Sequence, residues 1–83
     1  MKLVYFAWIR ERIGVPEEDV ELPAEVATTT DLVAWLKTRG PGYEHALEDA
    51  AALRIAVDHV HAPRETALAG VREVALFPPM TGG

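Results

Sequence analysis

Cysteine is absent from the 83 residues, which rules out disulfides and thiolate–zinc ligation as sources of stability. Basic residues are few and scattered: eight Lys and Arg stand against 13 Asp and Glu, for a net charge of −5. Phosphate-backbone binding needs clustered cations, so nucleic acid is not an expected partner. No apolar run approaches the ~20 residues of a membrane span, so no membrane contact is expected either. The opening MKLVYFAWIRERIG has one lysine, then seven apolar residues before Arg10, and no small-residue cleavage site follows. It reads as a first strand rather than a signal sequence, and the expected compartment is the cytoplasm.

What is present is material for one core. A chain this short buries only about 60–65% of its unfolded surface, so its margin of stability is thin. Hydrophobic residues make up 49% of the chain, and the charged quarter with near-zero mean hydropathy argues against disorder. Repeats, linkers and low-complexity segments are not evident, and one domain is expected.

Residues 2–7, KLVYFA, are β-branched and aromatic, which suits a strand buried on both faces. WIRERIGVPEED follows as a charged loop punctuated by Gly14 and Pro16, with Arg10, Glu11 and Arg12 solvated. Residues 19–22, DVEL, alternate and place Val20 and Leu22 on one face. Thr28 and Asp31 fit a capping box ahead of DLVAWLKTRG, where Leu32, Trp35 and Leu36 form an apolar stripe. Gly40 suits the helix end and Pro41 prevents continuation. YEHALEDA is a candidate for a second short helix. Leu53, Ile55 and Val57 share a strand face, Asp58-His59 suits a turn, and VREVALF supplies a last strand. In that strand Val74 and Leu76 face one way, and Ala75 and Phe77 the other. One main helix across a mixed sheet of four to five strands, its apolar first and last strands central, is an α+β β-grasp arrangement.

The ending FPPMTGG, Phe77 to Gly83, differs in kind from the rest. Pro78 and Pro79 fix φ and lack N–H donors, so strand pairing stops and the chain leaves the sheet. This divides the chain into a domain over residues 1–77 and an extended tail over 78–83. Such a tail reaches at most about 20 Å, enough to enter another protein's active site. Glycine at the last two positions leaves no Cβ to obstruct a narrow channel. A terminal glycine carboxylate is unhindered but a poor electrophile until activated, commonly as an acyl-adenylate. With no cysteine in the chain, any sulfur it carries sits on that carboxylate as a thiocarboxylate. A bare Gly-Gly end has a plainer reading as a mobile terminus. Two prolines and a core-like strand directly before it favour function.

FAWIRERIG, TTDLVAWL, ALED at 46–49, IAVD at 55–58 and FPPMTGG together resemble the small subunits of molybdopterin synthase. That family, also called molybdopterin-converting factor subunit 1, consists of ubiquitin-like sulfur carriers, and the resemblance covers the whole chain. It implies that Gly83 is adenylated at the expense of ATP by an enzyme similar to ubiquitin-activating enzymes, then converted to a thiocarboxylate. The sulfur donor would be a cysteine desulfurase or rhodanese-like protein. It implies that Thr81, Gly82 and Gly83 insert into the large subunit, and that Phe77, Pro78, Pro79 and Met80 bind that partner. Two sulfur transfers there turn cyclic pyranopterin monophosphate into the dithiolene of molybdopterin. The implied assembly is a heterotetramer, two small subunits flanking a dimer of large ones, with the catalytic side chains in the large subunits. The chain itself would be a non-catalytic, sulfur-donating subunit with no permanently bound cofactor.

Two departures from the family concern turns: Asp58 where Asn is frequent, and Ala69-Gly70-Val71-Arg72-Glu73 where Asp-Gly-Asp-Glu is frequent. Thiamin-thiazole sulfur carriers and protein-conjugating modifiers share the fold and remain alternatives. His59 and His61, two apart, would share a strand face and could form half a metal site, but no further ligand is evident. Exposed histidines are the plainer reading, and no metal is expected. Trp35 is expected in the core, and Trp8 can be exposed. Phe77 either caps the domain's own core or anchors the partner; the resemblance favours the second.

Overall fold

The most apolar strand of the chain, the last, lies at the centre of the sheet. A computed structural model describes residues 1–49, 52–63 and 65–79. In chain order the elements are β1 (Lys2–Tyr5), α1 (Ala7–Ile13), β2 (Glu17–Asp19), α2 (Thr29–Lys37), α3 (Pro41–Ala46), β3 (Arg54–Val57), β4 (Val60–Ala62) and β5 (Glu73–Phe77). The five strands order β2-β1-β5-β3-β4. β1 runs parallel to β5 with Leu3 opposite Val74, and β3 runs antiparallel to β5 with Ala56 opposite Ala75. The first and last strands are thus neighbours, as the sequence implies.

The core fills the space between one sheet face and the helices. Leu3, Tyr5, Ile55, Val74 and Leu76 meet Ile9, Leu32, Leu36 and Leu47 in one buried cluster. β1 is fully buried on one face only, contrary to expectation: Leu3 and Tyr5 are buried, whereas Lys2 is exposed and Val4 half-buried. Within β1 burial follows the alternation of side chains between the two faces. β2 forms two residues earlier than its alternation suggests, because Glu17, Glu18 and Asp19 pair with Val4, Leu3 and Lys2. Val20 is still buried, just beyond the strand, and Leu22 packs on the core. A charged edge strand discourages pairing with other chains.

The segment expected as a charged loop after β1 is the helix α1. Ile9 and Ile13, four apart, turn inward while Arg10, Glu11 and Arg12 stay exposed. The helix closes at Gly14, whose φ of 100° only glycine takes without strain and whose N–H donates to the Arg10 carbonyl at 2.8 Å. Arg12 lies 4.4 Å from the half-buried Trp8 ring and donates from Nη1 to the His45 carbonyl at 3.3 Å.

α2 has the capping box read from the sequence. The Asp31 N–H donates to Thr28 Oγ1, and the Thr28 N–H donates back to Asp31 Oδ2, each at 3.2 Å. Leu32, Val33 and Leu36 are buried; Trp35 is half-buried at the margin, with Arg39 5.2 Å from its ring. Gly40 and Pro41 do not close this helix. It ends at Thr38, and they open α3, with Gly40 as N-cap and Pro41 in the first turn, where a missing N–H costs nothing. The second short helix therefore starts earlier than expected.

A non-local polar cluster ties these parts together. Glu18 Oε2 accepts from Tyr5 Oη and Tyr43 Oη, both at 2.6 Å, and Glu18 Oε1 lies 3.1 Å from Arg39 Nη1. Burial raises the Glu18 carboxyl, but the bonds from Tyr43, Tyr5 and Arg39 outweigh it and leave it below its ordinary value. Burial, with the bond to Glu18, pushes the Tyr5 phenol well up.

Candidate functional site

At the end of β5 the chain leaves the sheet, and the geometry there is built by four strands. The parallel register pairs Tyr5 with Leu76, so one residue further Phe6 lies beside Phe77. Their rings stack with centroids 4.4 Å apart and planes 8° from parallel. The Phe6 N–H donates to the Leu76 carbonyl at 3.2 Å, and at Ala7 (φ 52°) the backbone turns into α1. From the other side β3 sets Arg54 opposite Phe77, and the His61 ring on β4 stands 5.9 Å from Phe77 at 38°.

Phe77 points to the outer face, away from Val74 and Leu76. It is half-buried and lies outside the core cluster, while Phe6 is 39% exposed. Together with Pro78, Pro79, Arg54 and His61 the two rings line an open groove along the exit. Met80, Thr81, Gly82 and Gly83 lie outside the described residues. Of the site residues expected from sequence, Phe77, Pro78 and Pro79 therefore fall together at one place.

Phe6 and Arg54 join them without having been singled out in the sequence, and so does His61, which the sequence offered only as a candidate metal ligand. The apolarity of the first and last strands implies that they are neighbours, but the parallel register that brings Phe6 to Phe77 is carried by the pairing itself.

The two histidines do not act as a pair. His59 belongs to the β3–β4 turn with φ 70°, its Nδ1 3.5 Å from Glu73 Oε2, whereas His61 faces Phe77. The strand begins only at Val60, which removes the shared face that strand spacing suggested. Among the described residues no group of three or more His, Cys, Asp or Glu is placed to hold a metal ion. In the same turn Asp58 Oδ1 accepts from the N–H groups of Arg72 and Glu73, both at 2.9 Å, and so fixes the entry to β5.

A five-stranded mixed sheet with parallel central first and last strands and a capped helix across one face defines a ubiquitin-like β-grasp domain. The chain belongs to the ThiS family, whose model matches residues 3–83. It is 34% identical over 83 residues to the molybdopterin synthase sulfur carrier subunit of Haemophilus influenzae, covering 100% of this chain and 99% of that one. It is 32% identical over 83 residues to the protein of that name from Chlamydomonas reinhardtii, covering 100% and 98%. Among solved structures it is similar to SAMP1 from Haloferax volcanii, with a TM-score of 0.72 and 27% identity over 100% of this chain and 98% of that one. Another structure, of H. volcanii small archaeal modifier protein 1, gives 0.71 at 26%, covering 96% and 97%. The resemblance drawn from the sequence, and the fold it implied, are borne out. Among the described residues no helix is long and apolar enough to cross a membrane.

Proposed function

We propose that this chain is a sulfur carrier for molybdopterin synthase and partners the large subunit of that enzyme. The observation that carries the reading is full-length likeness to two proteins named for that role. The ending of β5 supports it: Phe77 is held on the surface by Phe6, and Pro78 and Pro79 end strand pairing directly after it.

The chemistry proposed at Gly83 is acyl activation followed by sulfur exchange. A carboxylate oxygen attacks the α-phosphorus of ATP in an activating enzyme, and pyrophosphate leaves. The persulfide of the sulfur donor then attacks the acyl carbon and AMP departs, giving a mixed acyl disulfide. A thiol of the activating enzyme or a small thiol attacks the donor-side sulfur, forms a disulfide with it and releases the thiocarboxylate. In the large subunit the thiocarboxylate sulfur bonds to a carbon of cyclic pyranopterin monophosphate and displaces an oxygen. Water then cleaves the acyl–sulfur bond, leaving sulfur on the product and regenerating the carboxylate for another round. Thr81 and Gly82 thread the channel, and the chain acts as co-substrate while the large subunit supplies catalytic side chains. The setting proposed is a cytoplasmic heterotetramer.

Deleting Gly83, or appending a residue after it, tests this directly. Sulfur transfer is expected to vanish with the melting temperature unchanged, because a tail outside the core contributes little to folding. Full transfer from an extended terminus would end the carrier reading. The likeness to small archaeal modifier protein 1 favours one second reading, a protein modifier joined through Gly83 to lysine. Covalent adducts on many proteins, with no requirement for the large subunit, would support it instead.

A further inference from the structure

The outer face of the sheet separates its charges, and the separation is informative. At the end near the start of β1 the cation is paired: Lys2 Nζ lies 3.1 Å from Glu17 and 3.8 Å from Glu73, and the His59 ring lies 3.5 Å from the same Glu73. At the opposite end, where the chain leaves, the groove has Arg54 and His61 exposed beside the Phe6–Phe77 pair. No described residue lining it is Asp or Glu, in a chain whose net charge is −5. No ion pair joins Arg54 to a described acid.

A stacked pair with Phe6 exposed and Phe77 half-buried offers apolar area to be covered, and a guanidinium at its edge seeks a carboxylate, which it can hold through two parallel hydrogen bonds. Covering the rings with an apolar partner alone would desolvate Arg54 without compensation, which is unfavourable. That cost does not arise if the covering segment is acidic.

We infer that the tail-exit groove receives an acidic segment of the large subunit, an apolar or aromatic side chain covering Phe6 and Phe77 while carboxylates face Arg54 and His61. This rests on the proposed sulfur-carrier reading and adds the chemistry of the partner surface. The complementary charge steers encounter, so its main signature is the association rate and its dependence on salt.

The test is association of the purified large subunit with this chain, followed by stopped flow from low to high salt. The Arg54→Glu variant is expected to associate roughly tenfold more slowly at low salt, with the difference closing as salt rises. Arg54→Gln removes the charge with less perturbation and gives a smaller loss in the same direction. Thermal melts of both variants within a few degrees of the unsubstituted chain establish that folding is intact. Equal rates and equal salt dependence in the three proteins overturn the inference while leaving the carrier reading standing. Absence of binding by the unsubstituted chain overturns both. Sedimentation showing a self-associated chain that Arg54→Glu dissociates would assign the groove to a second copy and also overturn it.

Discussion

Phe6 and Phe77 stack at 4.4 Å because β1 and β5 are parallel neighbours in register, so two residues 71 positions apart in sequence close the same edge of the outer face. The stack holds Phe77 at the surface rather than in the core, and this separates two costs that a core aromatic would combine.

Phe77→Ala is therefore expected to act on binding. Losing the ring contact removes about 0.5–1.5 kcal/mol of folding stability, well below the ~3–5 kcal/mol of a buried Phe→Ala cavity. Loss of an interface aromatic costs about 2 kcal/mol or more, roughly thirtyfold in dissociation constant for the large subunit. Calorimetric titration and a denaturant melt measure the two separately. Normal binding with early unfolding would make Phe77 a core residue in effect.

Glu18 makes stability depend on acid. Its folded carboxyl is held below its ordinary value by Tyr43, Tyr5 and Arg39 despite burial. Stability from this group is thus full above the unfolded carboxylate pKa of about 4.3 and is lost as pH falls through the lower folded value. Glu18→Ala leaves the buried Tyr5 hydroxyl without its acceptor and is expected to cost about 2 kcal/mol at neutral pH. The variant's melts should also fall less steeply below pH 5. A variant that keeps the full acid slope would remove Glu18 as its source.

At Gly42 α3 lies close against the backbone of α1. A Cβ there would stand 2.7 Å from the Arg12 carbonyl oxygen, a backbone atom that cannot rotate aside. Gly42→Ala is expected to lower stability by about 1–3 kcal/mol through forced separation of the helices. Its denaturant midpoint reports this, and an unchanged midpoint would show that the helices move apart freely.

The sequence made some elements legible and hid others for physical reasons. α2 was legible because two independent signals agree, the Thr28–Asp31 box and the stripe of Leu32, Trp35 and Leu36. α1 was hidden because only Ile9 and Ile13 carry its period, and Arg10, Glu11 and Arg12 between them read as a solvated loop. Gly40 and Pro41 mark a boundary correctly but belong to the start of α3, since the same residues that stop one helix can open the next. The exit of the tail was legible from Phe77, Pro78 and Pro79 alone, because proline chemistry is local. Its surroundings were not: Phe6, Arg54 and His61 arrive through strand register, and Glu18 reaches Tyr5 and Tyr43 across separations of 13 and 25 residues. The expected roles of Met80, Thr81, Gly82 and Gly83 fall outside the described residues and rest on sequence chemistry and family likeness.

The carrier account is tested most directly by the intact mass of the chain after incubation with ATP, its activating enzyme and a sulfur source. With no cysteine present, the account predicts a gain equal to exchange of one oxygen for sulfur, confined to the C-terminal peptide that ends at Gly83. A sulfur adduct on any other peptide, or no gain under conditions in which the same enzymes load a known carrier, would contradict it.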